Sequence, residues 1–222
     1  MTMLALNESR FEAPQARGAH EFAPGLPVSS VTAPFARNEE IYAEEDAARY
    51  VYKVVSGAVR ITRLLGDGRR HISAFFLPGE VFGFEPGAAH RFAAEAVVNS
   101  RIAMARRSLI EDAASRNARI GRVMWDLTAH DLERLQEHML LLGRKSALER
   151  VTTFLLEIAD RLGGGDAIEL PMSRSDIADY LGLTIETVSR TFTQLERDGL
   201  ISMPIARLVT IRDRQAFETI AA

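Results

Sequence analysis

From Arg119 to Gly143 the chain has no proline, and no glycine between Gly121 and Gly143. Met124, Leu127, Leu135, Met139 and Leu142 recur there at spacings of three, four and eight residues, the mark of an amphipathic helix of several turns. Leu140-Leu141-Leu142 make its end apolar nearly all round, so it must bury more than one side. Two readings are open at this point. Both faces pack inside one subunit, or one packs at home and the other meets a second copy in a C2 dimer.

Ahead of that helix the texture is β. Tyr50-Val51-Tyr52-Lys53-Val54-Val55 ends at Ser56-Gly57, and Ala58-Val59-Arg60-Ile61-Thr62 runs up to Gly66-Asp67-Gly68, a strong hairpin signal. His71 to Phe76 follows, closed by Pro78-Gly79-Glu80, and Phe92 to Met104 alternates again. Several short strands at this spacing predict an antiparallel barrel or jelly-roll sandwich. Ser108 to Arg116 reads as a short helix. Residues 1–30, with Pro14, Gly18, Pro24, Gly25 and Pro27 and little apolar periodicity, read as a mobile arm.

Beyond it the pattern stays helical. Ser146 to Leu162 is a helix stopped by Gly163-Gly164-Gly165, and Ala167 to Leu170 is a short extended piece. Ser173 then caps a helix with Asp176 three residues on. Gly182 marks a tight turn, and Thr184 caps a second helix. On that helix Ile185, Val188, Phe192 and Leu195 are spaced to face the core. Glu186, Ser189, Arg190 and Thr193 form the opposite, polar face. Arg can bond guanine O6 and N7 together, and Glu can accept from cytosine N4, so this face suits major-groove reading. Alone, Glu186 and Arg190 are also an ordinary i, i+4 ion pair worth about 0.3–0.5 kcal/mol. Gly199 to Ile201 and Leu208 to Ile211, broken by Pro204 to Arg207, read as a two-stranded wing that would touch phosphates.

Composition excludes several classes. The chain has no cysteine, which removes disulfides, Cys zinc sites, Cys-ligated iron–sulfur clusters and thiol chemistry. The net charge of −3 gives no global attraction to nucleic acid or anionic membrane. From Arg144 to Ala222 ten Lys and Arg face twelve Asp and Glu, a net of −2, so any DNA contact rests on a few placed arginines: Arg174, Arg190, Arg197 and Arg207. No apolar run approaches the ~20 residues of a membrane span, and the N-terminus has no secretion pattern. The expectation is a cytoplasmic protein.

From about Phe35 to Ile211 the sequence resembles the Crp/Fnr superfamily of bacterial transcription regulators. The resemblance is carried by Leu140-Leu141-Leu142-Gly143-Arg144-Lys145-Ser146-Ala147-Leu148-Glu149-Arg150-Val151 and by Met172 to Arg190, whose Glu-x-x-Ser-Arg ending is similar to the base-reading motif of the Fnr branch. Ser56-Gly57-Ala58-Val59 and Pro78-Gly79-Glu80 match the turns of the family's β-roll. The resemblance implies an α+β chain: after the arm, a cyclic-nucleotide-binding-like β-roll (jelly-roll) domain at 31–116, a dimerisation helix at 117–143 and a winged helix-turn-helix domain at 144–222. It implies a homodimer on double-stranded DNA, with recognition helices about 34 Å apart on a TTG…CAA inverted repeat. Glu186 and Arg190 would read the G·C pair and Ser189 a neighbouring thymine or its phosphate. Ser173, Arg174, Thr184, Thr187, Thr193 and Arg207 would touch the backbone or support the readers. Met124, Leu127, Asp131, Leu135, His138 and Leu142 are the expected dimer face.

Departures from the family select a branch. Without cysteine there is no Fnr-type [4Fe–4S] sensor. Where the cyclic-AMP branch holds phosphate and ribose, this chain has Gly83-Phe84-Glu85-Pro86 and Arg91-Phe92; Arg91 reads as a surface arginine and the phenylalanines as filling. His71 and His90 read as ordinary polar residues rather than haem ligands. What remains resembles the FixK-like group: no cofactor, activation through RNA polymerase, and genes of oxygen-limited respiration or nitrogen metabolism. Ser189 stands where some relatives have a redox-sensitive cysteine. One alternative keeps the DNA end and adds an unknown small effector in the roll. Another, a cupin-type enzyme, needs a His and carboxylate cluster, and the two roll histidines lie nineteen residues apart without a matching acid.

Overall fold

The computed structural model describes residues 22–221. Eight strands come first: β1 (Ser30–Phe35), β2 (Glu40–Tyr42), β3 (Tyr50–Ser56), β4 (Val59–Leu64), β5 (Arg70–Phe76), β6 (Val81–Phe82), β7 (Ala93–Ala96) and β8 (Ser100–Arg106). Helices α1 (Arg107–Arg116), α2 (Ala118–Arg144) and α3 (Ala147–Arg161) follow, then β9 (Ala167–Glu169), α4 (Arg174–Leu181), α5 (Ile185–Arg197), β10 (Ile201–Ile205), β11 (Leu208–Ile211) and α6 (Arg214–Ala221).

The first eight strands make two four-stranded antiparallel sheets, ordered β1-β8-β3-β6 and β2-β7-β4-β5. Phe35, Tyr52, Val54, Val59, Phe76, Phe82 and Ile102 are buried together in one cluster, the filling of a β-roll. The stretch read as one alternating run from Phe92 to Met104 is two strands, β7 and β8. Gly57 shows why the β3–β4 turn needs its glycine: φ is +87°, and an added Cβ would sit 2.7 Å from the Ser100 Cα.

A second cluster gathers Phe22, Ala23, Leu26 and Val28 with Val51, Val81, Ala105, Ile110 and Ile120. This corrects the arm. Its residues 1–21 lie outside the described residues, but from Phe22 onward the chain packs under α1 and α2. The prolines and glycine there shape a close-packed segment, in which Phe22 N–H donates to the Leu26 carbonyl at 3.0 Å and Leu26 N–H to that of Ala23 at 2.8 Å.

The third cluster is the widest. It joins Val151, Phe154, Leu155 and Ile158 of α3 to Ile177, Leu181, Val188, Phe192 and Leu195 of α4 and α5. It also takes in Ala58, Ile72, Phe75, Leu77 and Val97 of the roll. The winged domain and the roll therefore share a core. The wing has three strands, ordered β10-β11-β9, because the short piece at Ala167–Glu169 pairs with β11. Helix α6, which the sequence reading left unassigned, closes the domain by burying Phe217 against this cluster.

Candidate nucleic-acid interface

Helix α4 begins with the capping box that Ser173 and Asp176 predict. The Asp176 Oδ2 accepts from the Ser173 backbone N–H at 3.0 Å and its hydroxyl at 2.7 Å. Gly182 ends the helix in the left-handed region at φ 62° and ψ 37°. An added Cβ would find room there, 3.6 Å from Leu142, so the glycine answers to the backbone angle alone. Thr184 then caps α5, its Oγ1 accepting from Thr187 N–H at 3.2 Å.

On α5 the polar face points outward. Glu186, Ser189, Arg190 and Thr193 are exposed; Val188, Phe192 and Leu195 are buried. Arg190 donates to the Thr187 hydroxyl at a long 3.4 Å, and among the described residues Glu186 forms no ion pair with it. Both readers therefore present unspent bonding capacity to whatever enters. Two expectations change. Ile185 does not face the core: it is 47% exposed, at the first turn beside Glu186, because Thr184 starts the helix before its apolar face reaches the domain. An apolar side chain there can meet a thymine methyl. Its signal in the sequence was adjacency to the cap, which periodicity alone overrode.

Arg174 is the second change. Its guanidinium lies 3.1 Å over the Phe192 ring and donates to the Met203 Sδ at 3.0 Å. Burial pushes its pKa down to about 10. It braces α4 against α5 and β10, which is the supporting of the two roles expected of it rather than that of a free cation. Arg190, Arg197 and Arg207 remain as cations of this surface. Arg197 is exposed, and Arg207 is half-buried at the wing turn, where its carbonyl accepts from Leu170 N–H at 2.8 Å.

The expected dimer face on α2 is divided: part of it packs within the protomer, while Leu135 is 48% exposed. Met124 and Leu127 pack into the cluster with Ile110 and Ile120, and Leu142 packs onto that of the winged domain. Asp131 accepts from Arg134 at 2.7 Å, His138 is buried against Tyr180, and Leu135 lines a cavity. Beside Leu135, a second exposed row holds Trp125, Leu132 and Met139, with Leu140 next to it; Trp125 is 67% and Met139 72% exposed. Trp125, Leu132 and Met139 are seven apart, and their row lies about a third of a turn round from the inward one. The helix has two apolar faces, and the heptad-spaced one is the more exposed.

A cavity of about 290 Å³ opens between the roll, α2 and the winged domain, lined by Tyr42, Phe76, Phe84, Arg91, Arg134, His138, Arg161 and Tyr180 among others. Arg91 is exposed, and Glu85 accepts from its Nε at 3.3 Å. A carboxylate thus already occupies part of the guanidinium that an anion would need. His90 corrects the reading of it as an ordinary polar residue. It is buried and stacked on Tyr42 at 3.6 Å, and burial lowers its pKa. Among the described residues no three His, Asp or Glu gather as a metal ion would require, and no helix is long and apolar enough to cross a membrane.

Comparison with known proteins agrees with this geometry. Residues 32–117 match the model of the cyclic nucleotide-binding domain, and residues 149–220 that of the Crp-like helix-turn-helix domain. The chain is 52% identical to a nitrogen fixation regulation protein FixK of Azorhizobium caulinodans, over 82% of this chain and 75% of that one. It is 43% identical to a FixK of Rhizobium meliloti, over 86% and 87%. The solved structure of FixK2 from Bradyrhizobium japonicum superposes with a TM-score of 0.85 at 48% identity, covering 88% of this chain and 98% of that one. The relatives are DNA-binding regulators rather than enzymes, and the chain belongs to the Crp/Fnr family of transcription regulators.

Proposed function

We propose that the chain works as a homodimer that reads a TTG…CAA-type inverted repeat and activates genes of oxygen-limited respiration or nitrogen metabolism by recruiting RNA polymerase, with no cofactor. The observation that carries this reading is the exposed row Glu186, Ser189 and Arg190 on α5, two of whose members are the donor and acceptor that a G·C edge requires. Ile185 adds an apolar contact for thymine. Thr184 and Thr187 hold the start of α5, and Thr193, Arg197 and Arg207 face the backbone. Dimerisation runs through the outward stripe of Trp125, Leu132 and Met139, whose seven-residue spacing is that of a coiled-coil seam.

The names of the relatives support the regulated genes: two are nitrogen fixation regulation proteins, and a 40% identical relative from Rhodopseudomonas palustris is a transcriptional activatory protein. The test is binding of purified ligand-free protein to the inverted repeat and to a version with both G·C pairs exchanged, followed by transcription in a purified system. Nanomolar binding lost on exchange, with activation, supports the reading. Equal binding to both duplexes defeats it.

The cavity at the domain junction favours one second reading, in which a small effector seated between Phe84, Arg134 and Tyr180 gates the same DNA surface. Full activity of ligand-free protein in the purified system excludes it.

A further inference from the structure

Asp176 is a carboxylate shared by two domains. Its Oδ2 closes the cap of α4 through Ser173. Its Oδ1 accepts from Arg60 Nη1 at 3.0 Å and from Arg70 Nη2 at 2.7 Å. Arg60 is on β4 and Arg70 on β5, so both donors come from the roll. One turn along α4, Asp179 accepts from Arg70 Nε at 2.8 Å. Arg60 is aimed from behind: Glu95 on β7 accepts from its Nε at 2.8 Å, and Asn38 from its Nη2 at 3.2 Å.

The centre of this junction is buried, while Arg70 and Asp179 at its edge are 30% and 27% exposed. The side chains of Arg60 and Asp176 are 7% and 6% exposed. Burial works against the Asp176 charge, yet the Ser173 bonds and the two arginines hold its carboxyl below the usual range. Separating α4 from the roll would leave buried charges without partners, which is strongly unfavourable. A second tie lies at the other end of the interface. Glu80, in the β5–β6 turn, accepts from Arg161 of α3 at 2.8 and 2.9 Å and from Arg134 of α2 at 3.3 Å. By contrast, the covalent link from α2 to α3 is only Lys145 and Ser146.

The α4 cap itself is closed by Ser173 and Asp176 without the arginines. What the arginines add is a fixed orientation. We propose that Arg60 and Arg70 of the roll are positioning residues for DNA binding, clamping α4, and with it α5, at one angle so that the dimer accepts a single half-site spacing. The inference rests on the reading above of a dimer on an inverted repeat.

The test uses the full chain carrying Arg60→Gln and Arg70→Gln together, with Arg70→Gln alone as the milder variant, since Arg70 is the more exposed of the two. Three duplexes are compared: the native inverted repeat, the same with one base pair inserted between half-sites, and one with a half-site scrambled. Wild type is expected to lose about tenfold or more on insertion. The variants bind the scrambled duplex like wild type, bind the native repeat more weakly, and discriminate less between the two spacings. Arg70→Lys, which keeps the charge, restores part of the discrimination.

Variants that keep the wild-type spacing preference overturn the clamp. So does equal weakening on all three duplexes, which would mark general damage to the fold. Failure of wild type to prefer the native repeat over the scrambled one would instead overturn the DNA reading itself, so the two failures are separable.

Discussion

The imidazole of His138 on α2 lies nearly parallel to the phenol ring of Tyr180 on α4, with centroids 4.0 Å apart and planes 20° from each other. Helix α2 and the helix-turn-helix thus meet through two stacked rings. Neither His138 nitrogen has a hydrogen-bond partner among the described residues.

That contact should depend on pH. Burial, with His71 of β5 and Arg150 of α3 nearby, pushes the His138 pKa down from 6.5 to about 4. The folded state holds this imidazole neutral, while the unfolded chain takes a proton below about 6.5. Folded stability contributed here is therefore complete above that pH and is lost as pH falls from about 6.5 towards about 4. Thermal melts between pH about 7 and about 5 should fall for wild type and fall less for His138→Phe, which keeps the ring and loses the titration. An unchanged slope would show that other groups govern acid sensitivity.

Arg190→Ala should cost about 1–3 kcal/mol of binding to the native repeat and flatten the preference for G·C at one position. Arg190→Lys keeps the charge without the paired donors, so it should retain part of the affinity and little of the discrimination. Titrations on duplexes substituted at each base pair measure both. Uniform weakening on every sequence would make Arg190 a phosphate contact.

Leu132→Glu or Met139→Glu should yield folded monomers that no longer hold the inverted repeat. Leu127→Glu should act differently. Leu127 packs into the protomer's own cluster, so a carboxylate there lowers the melting temperature before it changes assembly. Sedimentation and circular dichroism on the three variants separate the effects. A folded dimer of Met139→Glu would move the seam elsewhere.

Gly182→Ala should destabilise the chain by about 1–2 kcal/mol, because alanine must be held at φ 62°. Urea unfolding reads it directly. The site has room for the methyl group, so a much larger loss would indicate that the turn between α4 and α5 has been rebuilt.

The parts of this architecture legible in the sequence are those written locally. Ser173 with Asp176, Gly182, and Thr184 each satisfy a backbone requirement within a few residues, and the strands between Tyr50 and Phe76 announce themselves by alternation and turn glycines. The parts that were not legible depend on a distant neighbour. Periodicity finds apolar residues on α2 but cannot tell the face that meets Ile110 from the face left open at Trp125. Arg174 looks like any surface arginine until Phe192 and Met203 close over it. Phe22, Leu26 and Val28 carry no regular spacing, because they fill a surface already shaped by Val51 and Ala105 rather than forming an element of their own.

Phe75, Leu77 and Ile72 of the roll lie in the same buried cluster as Phe154, Leu181 and Phe192 of the winged domain. A cut at the short link after α2 would not release two finished globules, since each half would expose apolar surface built to be covered by the other. The shared cluster predicts one cooperative unit, which heat or denaturant should melt in a single transition. A substitution at Phe75 or Leu77 should therefore disturb the packing behind the recognition helix as well as that of the roll.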